Sequence, residues 1–273
     1  MGICRDKAVN YLKGLNLNTV TQPSSDIKPL ALIGEYRGAI AIIGTLDQLV
    51  SGSTAPTPST SKGIAADVSG KKSSKLPLEI GINILGTLIG AMGGNLGVNA
   101  SYNDAKTVEF SFKNVIRERA NVVEIGDYLM GGEVRWNHLI LQKYLFGKGN
   151  LYVITEVVRS QEIGVTAYSK TGANLGVDVP VIQEAVGGKV KVGVENESTK
   201  TIGYKGDSEL VFGFVAIELS ALENAETGEL VLGYEPVAPG KVALSVGDNP
   251  KLADFGAPLA ALPEADPTTL GEG

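Results

Sequence analysis

Few residues of this chain could carry covalent chemistry. Cys4 is the only thiol and His138 the only histidine among 273 residues. A Ser–His or Cys–His site is therefore limited to one arrangement, and no metal site can be built from histidine and cysteine. His138 stands beside Leu139 in a segment with helical spacing, which indicates a structural residue. We therefore expect a protein that is not an enzyme, with no metal and no free cofactor.

Cys4 has two alternative interpretations. The spacing of residues 4–15 predicts a short amphipathic helix that carries Cys4, Ala8, Leu12 and Leu15 on one face. A cysteine on such a helix is a candidate for S-acylation, and a buried palmitoyl chain contributes on the order of 10 kcal/mol. The alternative, which the residues alone favour, is that Cys4 is a small buried apolar side chain.

The charge of the chain is unevenly distributed. The net charge is -6, but residues 221–273 hold nine acids and two bases, a net of -7, whereas residues 1–220 have a net of +1. The one lysine cluster, at 71–75, has no interleaved aromatic residues, so we expect no nucleic-acid partner. The first residues lack the apolar run of a secretory signal, so we expect a cytoplasmic chain.

Periodicity predicts the elements that must position any site. Apolar stretches at 30–33 and 39–43 indicate strands, and so do "NLYVITEVV" (150–158) and "ELVFGFVAIEL" (209–219). Helical spacing predicts a helix over 126–146. The composition of "SGSTAPTPSTSKG" (51–63) predicts a flexible loop.

Two longer segments alternate with period two and predict hairpins. The apolar residues of the first, at 76–113, are Leu78, Ile80, Ile82, Ile84, Val108, Phe110 and Phe112. Those of the second, at 162–195, are Ile163, Val165, Val177, Val179, Val190, Val192 and Val194, with Val181 continuing the same alternation. Such alternation fits a membrane-spanning strand, but any half-buried sheet shows it too. The uncharged run 80–103 also has the length of a spanning helix, although its glycines and asparagines favour the hairpin.

Four stretches in this order resemble the gasdermin pore-forming domain: "MGICRDKAVNYLKGL", "GNLYVITEVVRSQEIGVTAYS", "KVKVGVEN" and "LVFGFVAIEL". The resemblance covers roughly residues 1–220, and the short remainder makes the chain similar to the bacterial type. It implies an α+β fold, with a twisted, mostly antiparallel central sheet and surrounding helices, like the gasdermin N-terminal domain.

The resemblance also implies a function. An inactive cytoplasmic monomer is cut by a protease, caspase-like or of another kind, and the freed domain inserts its hairpins into membrane lipids at the cell inner membrane. There it assembles into a homo-oligomeric ring pore that kills the cell in antiviral defence. A palmitoyl group on Cys4 belongs to this scheme. The alternative is an acylated membrane-associated scaffold that does not perforate the membrane.

The chain then divides into three parts. Residues 1–233 are expected to form the pore-forming domain, and the Pro/Gly-rich residues 234–250 an exposed linker with the cleavage site. Residues 251–273 are expected to form an autoinhibitory tail, which docks through Leu252, Phe255, Leu259 and Leu262.

Overall fold

The computed structural model describes residues 17–52, 57–64, 68–69, 76–94, 102 and 104–244. Its strands are β1 (Asn18–Ser24), β2 (Ala31–Tyr36), β3 (Ala39–Thr45), β4 (Val50–Ser51), β5 (Thr60–Ile64), β6 (Val68–Ser69), β7 (Leu76–Pro77), β8 (Thr107–Lys113), β9 (Ile116–Ala120), β10 (Glu133–Val134), β11 (Gly149–Tyr168), β12 (Asn174–Leu175), β13 (Lys191–Asn196), β14 (Thr201–Glu223), β15 (Leu230–Pro236) and β16 (Ala243–Leu244). Its α-helices are α1 (Leu78–Ala91), α2 (Val122–Met130), α3 (Leu139–Leu145) and α4 (Val179–Val186), and Leu46–Gln48 form a 3-10 turn.

Two long antiparallel strands, β11 and β14, form the spine of the sheet. They contain 20 and 23 residues and pair from Leu151 opposite Leu219 to Val165 opposite Ile202. The sheet order is β16-β1-β14-β11-β2-β3, with β8 and β9 on the edge of β11 and β13 and β15 on the edge of β14. Only β1 and β16 run parallel among the described pairs along this path. The predicted α+β fold with a mostly antiparallel sheet is confirmed.

The spine is buried on both faces because a separate apolar cluster covers each face. Leu151 and Val153 pack with α2 and α3 on one side. Tyr152 and Ile154 pack on the other side, among residues of β1, β2 and β16. A strand covered on both faces needs a nearly continuous apolar sequence, which is what "LYVI" supplies. The strands predicted at 150–158 and 209–219 are confirmed, and those at 30–33 and 39–43 correspond to β2 and β3.

A third apolar cluster lies where α1 and α4 cover the far ends of β8, β11, β13 and β14. Leu85 and Ile89 of α1 and Ile182 of α4 are fully buried there against Phe110 and Tyr204 of the sheet. We call α1, α4 and strand residues 107–113, 162–168, 191–196 and 201–206 the helical end.

Charged side chains join β5, β9 and β11 next to the helical end. The Arg117 and Arg119 guanidinium groups both contact the Glu156 carboxylate, at 2.5 and 2.6 Å. The buried Arg159 guanidinium lies 2.8 Å from the Glu118 carboxylate. We call this set of side chains the charged row: Lys62, Arg117, Glu118, Arg119, Glu156 and Arg159.

The single helix predicted over 126–146 is wrong. The structure has α2, which ends at Met130, and α3, which begins at Leu139, with the short strand β10 between them. Consecutive glycines at 131 and 132 end the first helix, because glycine is unfavourable within a helix and common just after its end. The start of α2 lies before the predicted bound, at Asn121, whose side chain accepts a hydrogen bond from the Val123 amide.

The loop predicted over 51–63 is also wrong in its last part. Thr60–Ile64 form β5, which pairs antiparallel with β9. The backbone and hydroxyl of Ser59 both donate to the Glu124 carboxylate of α2, at 2.9 Å each, and so fix where the strand enters the sheet. Composition could not predict this pairing because it depends on a partner about 55 residues further along the chain.

Candidate functional site

The second strand of the first predicted hairpin is present and buried. Val108, Phe110 and Phe112 alternate inward along β8 and belong to the apolar cluster of the helical end. Phe112 stacks on Phe212 of β14, with ring centroids 3.8 Å apart. The prediction for these three residues is confirmed as a strand.

The first strand of that hairpin is wrong. The structure places Leu78, Ile80, Ile82 and Ile84 in the helix α1. The alternation in this stretch is too short to distinguish a strand from a helix. The apolar residues that follow, Leu85, Leu88 and Ile89, have helical spacing and are all buried. Gly81 permits the helix to pack directly on β8, since an added side-chain carbon there would collide with Val108.

The two ends of the second predicted hairpin are strands, but each pairs with β14 rather than with the other, and the middle is a helix. Ile163 and Val165 are buried on β11, Val190 is buried just before β13, and Val192 and Val194 lie on β13. Val177 precedes α4, and Val179 and Val181 lie in it rather than on a strand. The helix begins there because Asp178 accepts a hydrogen bond from the Val181 amide and a proline follows in the first turn.

A glutamine side chain holds the end of α4 to the start of β13. The Gln183 amide nitrogen donates to the carbonyls of Gly187, at 3.0 Å, and Val190, at 2.9 Å. Its amide oxygen accepts from the Val192 backbone amide at 2.8 Å. One side chain therefore satisfies three backbone groups at the helix-to-strand connection, and its loss would leave them to water or unpaired.

Two buried tyrosines tie the chain after α1 to the spine. The hydroxyl oxygens of Tyr102 and Tyr204 lie 2.6 Å apart, and both side chains are buried. Burial raises the pKa of Tyr102 to about 12, and burial together with the neighbouring Tyr102 raises the pKa of Tyr204 further. Both groups therefore stay neutral, and the contact joins the first predicted hairpin segment to β14 without a buried charge.

Sequence reasoning missed Tyr102, Gln183 and Tyr204. Tyr204 has a weak signal, since it alternates with the buried Ile202. Tyr102 stands alone as an aromatic residue within the polar run "NASYND", which indicates a buried anchor in a turn. Gln183 has no signal, because its partners are backbone groups that only the fold brings together.

The first part of the predicted exposed linker 234–250 is packed in the structure. Residues 234–236 belong to β15, and Val237, Val242 and Leu244 are buried in the cluster around Tyr152. The Val242 amide donates to the Asn18 side chain at 3.0 Å, and Ala243–Leu244 pair with β1. The prolines and glycines of this segment make turns between packed residues, so composition alone mistook it for a linker.

Several predicted site residues lie outside the described residues. These are Cys4, Ala8, Leu12 and Leu15 near the amino terminus and Leu252, Phe255, Leu259 and Leu262 near the carboxyl terminus. His138 is described, and it is exposed just before α3 rather than within a helix.

Within the described ranges, no helix has both the length and the apolar character to span a membrane. The spanning helix considered for 80–103 corresponds in its first part to the 14-residue helix α1. The same ranges contain no group of three or more histidine, cysteine or carboxylate side chains that could hold a metal ion.

Comparison with known proteins identifies relatives along nearly the whole chain. The model of the Bacterial Gasdermin Family matches residues 20–229. Gasdermin bGSDM of Vitiosangium sp. (strain GDMCC 1.1324) is 37% identical over 247 residues, which cover 90% of this chain and 91% of that protein. Gasdermin bGSDM of a Desulfuromonadales bacterium is 30% identical, with coverage of 85% and 92%.

A solved structure shares the fold. A bacterial gasdermin from Bradyrhizobium tropiciagri superposes with a TM-score of 0.60 over 88% of this chain and 93% of that one, at 16% identity. The sequence relatives, the family model and the shared curled antiparallel sheet agree, and together they show that this chain belongs to the bacterial gasdermin family.

Proposed function

We propose that this gasdermin is an autoinhibited pore-forming protein without enzymatic activity. Proteolytic removal of its carboxyl-terminal tail releases the rest of the chain, which inserts its two hairpin segments into a membrane and assembles into a ring. Family membership supports the pore-forming role. In a bacterial cell the outcome would be death of the cell in defence against phage.

The observation that carries the proposal is the position of the two hairpin segments. Both lie at the helical end, where β11 is itself a spine strand and β8 and β13 pair with the spine. Extension of β8, β11, β13 and β14 through the regions now folded as α1 and α4 would lengthen the sheet without a change of register in the body. A membrane-spanning strand needs about 9 to 11 residues, and both segments are long enough to supply two.

The number of copies follows from backbone hydrogen bonding. Each backbone group left unpaired at an open strand edge in hydrocarbon costs several kcal/mol. One copy offers at most two hairpins and hence two open edges. Many copies must therefore pair edge to edge, which supports a monomer that becomes a closed homo-oligomeric ring in the membrane.

The remaining parts of the scheme concern the termini. We propose that Cys4 carries a palmitoyl group beside Ala8, Leu12 and Leu15, and that cleavage falls after Leu244, because the chain up to that residue is packed. The inactive protein would reside in the cytoplasm and the active form in the inner membrane.

Dye release tests the central proposal. A site for a sequence-specific protease is placed within residues 245–250, and the intact and cut chains are added to anionic liposomes loaded with a fluorescent dye. Leakage is expected only after cutting. Binding of the cut chain without leakage would refute the pore and favour an acylated scaffold.

A pair of substitutions on β13 tests the second hairpin. Val192→Asp places a charge on the side that would face lipid, where a charged side chain destabilises a membrane-spanning strand. Gly193→Asp is the matched control on the opposite face, where an added side chain meets nothing within 4 Å. Leakage should be lost in the first and kept in the second, with unchanged melting temperatures of the uncut chains showing that both fold. Equal leakage would exclude this hairpin.

Lipidation is tested by intact mass spectrometry of the protein from a bacterial host. An added acyl mass that maps to Cys4 is expected, and it should disappear in Cys4→Ser. An unmodified thiol in protein from such a host would refute the modification.

A further inference from the structure

The last described strand, β16, points toward the helical end. β16 pairs in parallel with β1, with Ala243 opposite Thr19. Thr19 is in turn opposite Gly213 of β14. Because β1 is antiparallel to β14, a chain that continues from Leu244 in the same direction passes successively lower residue numbers of β14.

The next strand on that side of the sheet is β13. β11 occupies one edge of β14 along most of its length, so β1 and β13 share the other edge. β13 also runs antiparallel to β14, with Val194 opposite Ile202. The two strands therefore follow one line in one direction, and the line of β16 continues beside the outer edge of β13.

The Gln183 side chain occupies the first part of that outer edge, at the Val190 carbonyl and the Val192 amide, and among the described residues the edge is open from Val194 onward. No described strand pairs with it, and residues 193–196 are exposed. Val194 is 55% exposed although it continues the inward-facing row of Val190 and Val192, and Val181 of the neighbouring helix α4 is 50% exposed. An open edge beside exposed valines is a surface that proteins ordinarily cover.

The length of the remaining chain fits this surface. Val194 lies eleven positions beyond the level of Ala243 along β14, about 36 Å at the rise of an extended strand. An extended continuation brings residues near 254 beside Val194, and the apolar Leu252 and Phe255 flank that position. The irregular pairing of β1 shifts this estimate by a few residues.

We propose that residues 250–256 of the tail form an added strand on the outer edge of β13 and cover Val194. This rests on the proposed autoinhibition and specifies its contact: the tail pairs with the hairpin strand that must be free for insertion. Removal of the tail would then expose the edge that a second copy can occupy.

Disulfide crosslinking tests the contact in the intact chain. In a Cys4→Ser background, Val194→Cys is combined in turn with one cysteine at each position from 250 to 258, and the protein is oxidised. Neighbouring strands bring Cα atoms within the 4.4 to 6.8 Å that a disulfide requires. The yield should peak near 254 or 255 and should be at least tenfold above that of Val231→Cys, an exposed valine on β15. Equal yields, or none with either valine, would overturn the proposal.

Hydrogen exchange gives a second measurement that needs no cysteine. The Val194 amide, which like the Val192 amide points away from β14, should exchange at least tenfold more slowly in the intact chain than in chain cut within 245–250 and freed of the released peptide. Equal exchange would overturn the contact. The proposed function can fail separately, because crosslinking without leakage after cutting refutes the pore alone, and leakage without crosslinking refutes this contact alone.

Discussion

The helical end and the charged row are adjacent parts of one sheet but are held together by different chemistry. In the helical end the fully buried side-chain contacts join neutral hydroxyls, such as those of Tyr102 and Tyr204, and the Lys113–Glu195 ion pair is partly exposed. In the charged row a buried Arg159 depends on the Glu118 carboxylate. Separating two buried neutral partners costs less free energy than leaving a buried ion without its partner. The helical end is therefore the region that can rearrange more easily, and the charged row is the region that resists rearrangement.

The largest effect is expected from breaking the charged row. Arg159→Ala would leave the Glu118 carboxylate mostly buried, with the exposed Lys62, 3.9 Å away, as its one charged partner among the described residues. We expect the free energy of unfolding to fall by roughly 3 to 5 kcal/mol. Urea titration measures it. Lys62→Ala is the matched control at the same carboxylate and should cost less than about 1 kcal/mol. A loss for Arg159→Ala as small as that of the control would show that the charged row does not depend on the Arg159–Glu118 ion pair.

A cavity in the helical end should have the next largest effect. Leu85 of α1 is fully buried, so Leu85→Ala is expected to cost about 2 to 5 kcal/mol. Leu222→Ala, the same change at a side chain that is 51% exposed, should stay within about 0.5 kcal/mol. Hydrogen exchange by mass spectrometry should show faster exchange in α1 than in β2. Uniform acceleration across the chain would mean that the helical end does not open separately.

Alkaline pH should reduce the stability that the buried tyrosine pair contributes to the fold. A tyrosine whose pKa is raised on folding contributes stability below its unfolded pKa near 10, and that contribution is lost as the pH rises through the folded value, about 12 for Tyr102. Each such group removes about 1.4 kcal/mol per pH unit in this window. Urea titrations at pH 9 and 11 should therefore show a smaller loss in the double variant Tyr102→Phe/Tyr204→Phe than in the unchanged chain. Identical losses would show that these two groups do not titrate with unfolding.

The smallest effect concerns the hydrogen bond itself. Either Tyr102→Phe or Tyr204→Phe leaves one buried hydroxyl without its partner and should cost about 1 to 2 kcal/mol. Because the double variant removes both polar groups, its cost should be less than the sum of the two single costs. A double-mutant cycle in urea measures the coupling. Additive costs would show that the 2.6 Å contact contributes nothing to stability.

The sequence predicted the spine well and the helical end poorly. The continuous apolar run of β11 is the local signal of a strand buried on both faces. The alternation of β8 is the local signal of a strand buried on one face. Leu78–Ile84 satisfy a strand and a helix equally over so short a stretch, and packing of Gly81 on Val108 decides between them. The same ambiguity applies at Val179, where Asp178 and the following proline start a helix. Under the proposed function these two stretches are the ones that must adopt both structures.

The candidate site was predicted only in part for a related reason. Period-two spacing placed Val165, Phe110 and Val192 on strands, because successive side chains of a strand point to opposite faces of the sheet. The pairing of Tyr102 with Tyr204 spans about 100 residues of chain, and that of Val242 with Asn18 more than 200. Contacts between residues so far apart in the sequence produce no periodic pattern, so only the structure shows them.

The length of the two spine strands has a kinetic consequence. β11 and β14 are already paired up to Val165 and Ile202, where the helical end begins to turn back on itself. The slow step of forming a sheet is to bring the first distant residues together, and in the folded protein that loss of entropy has already occurred. Under the proposed function, new pairs in the bilayer would add to these existing pairs, and the folded body would set their register.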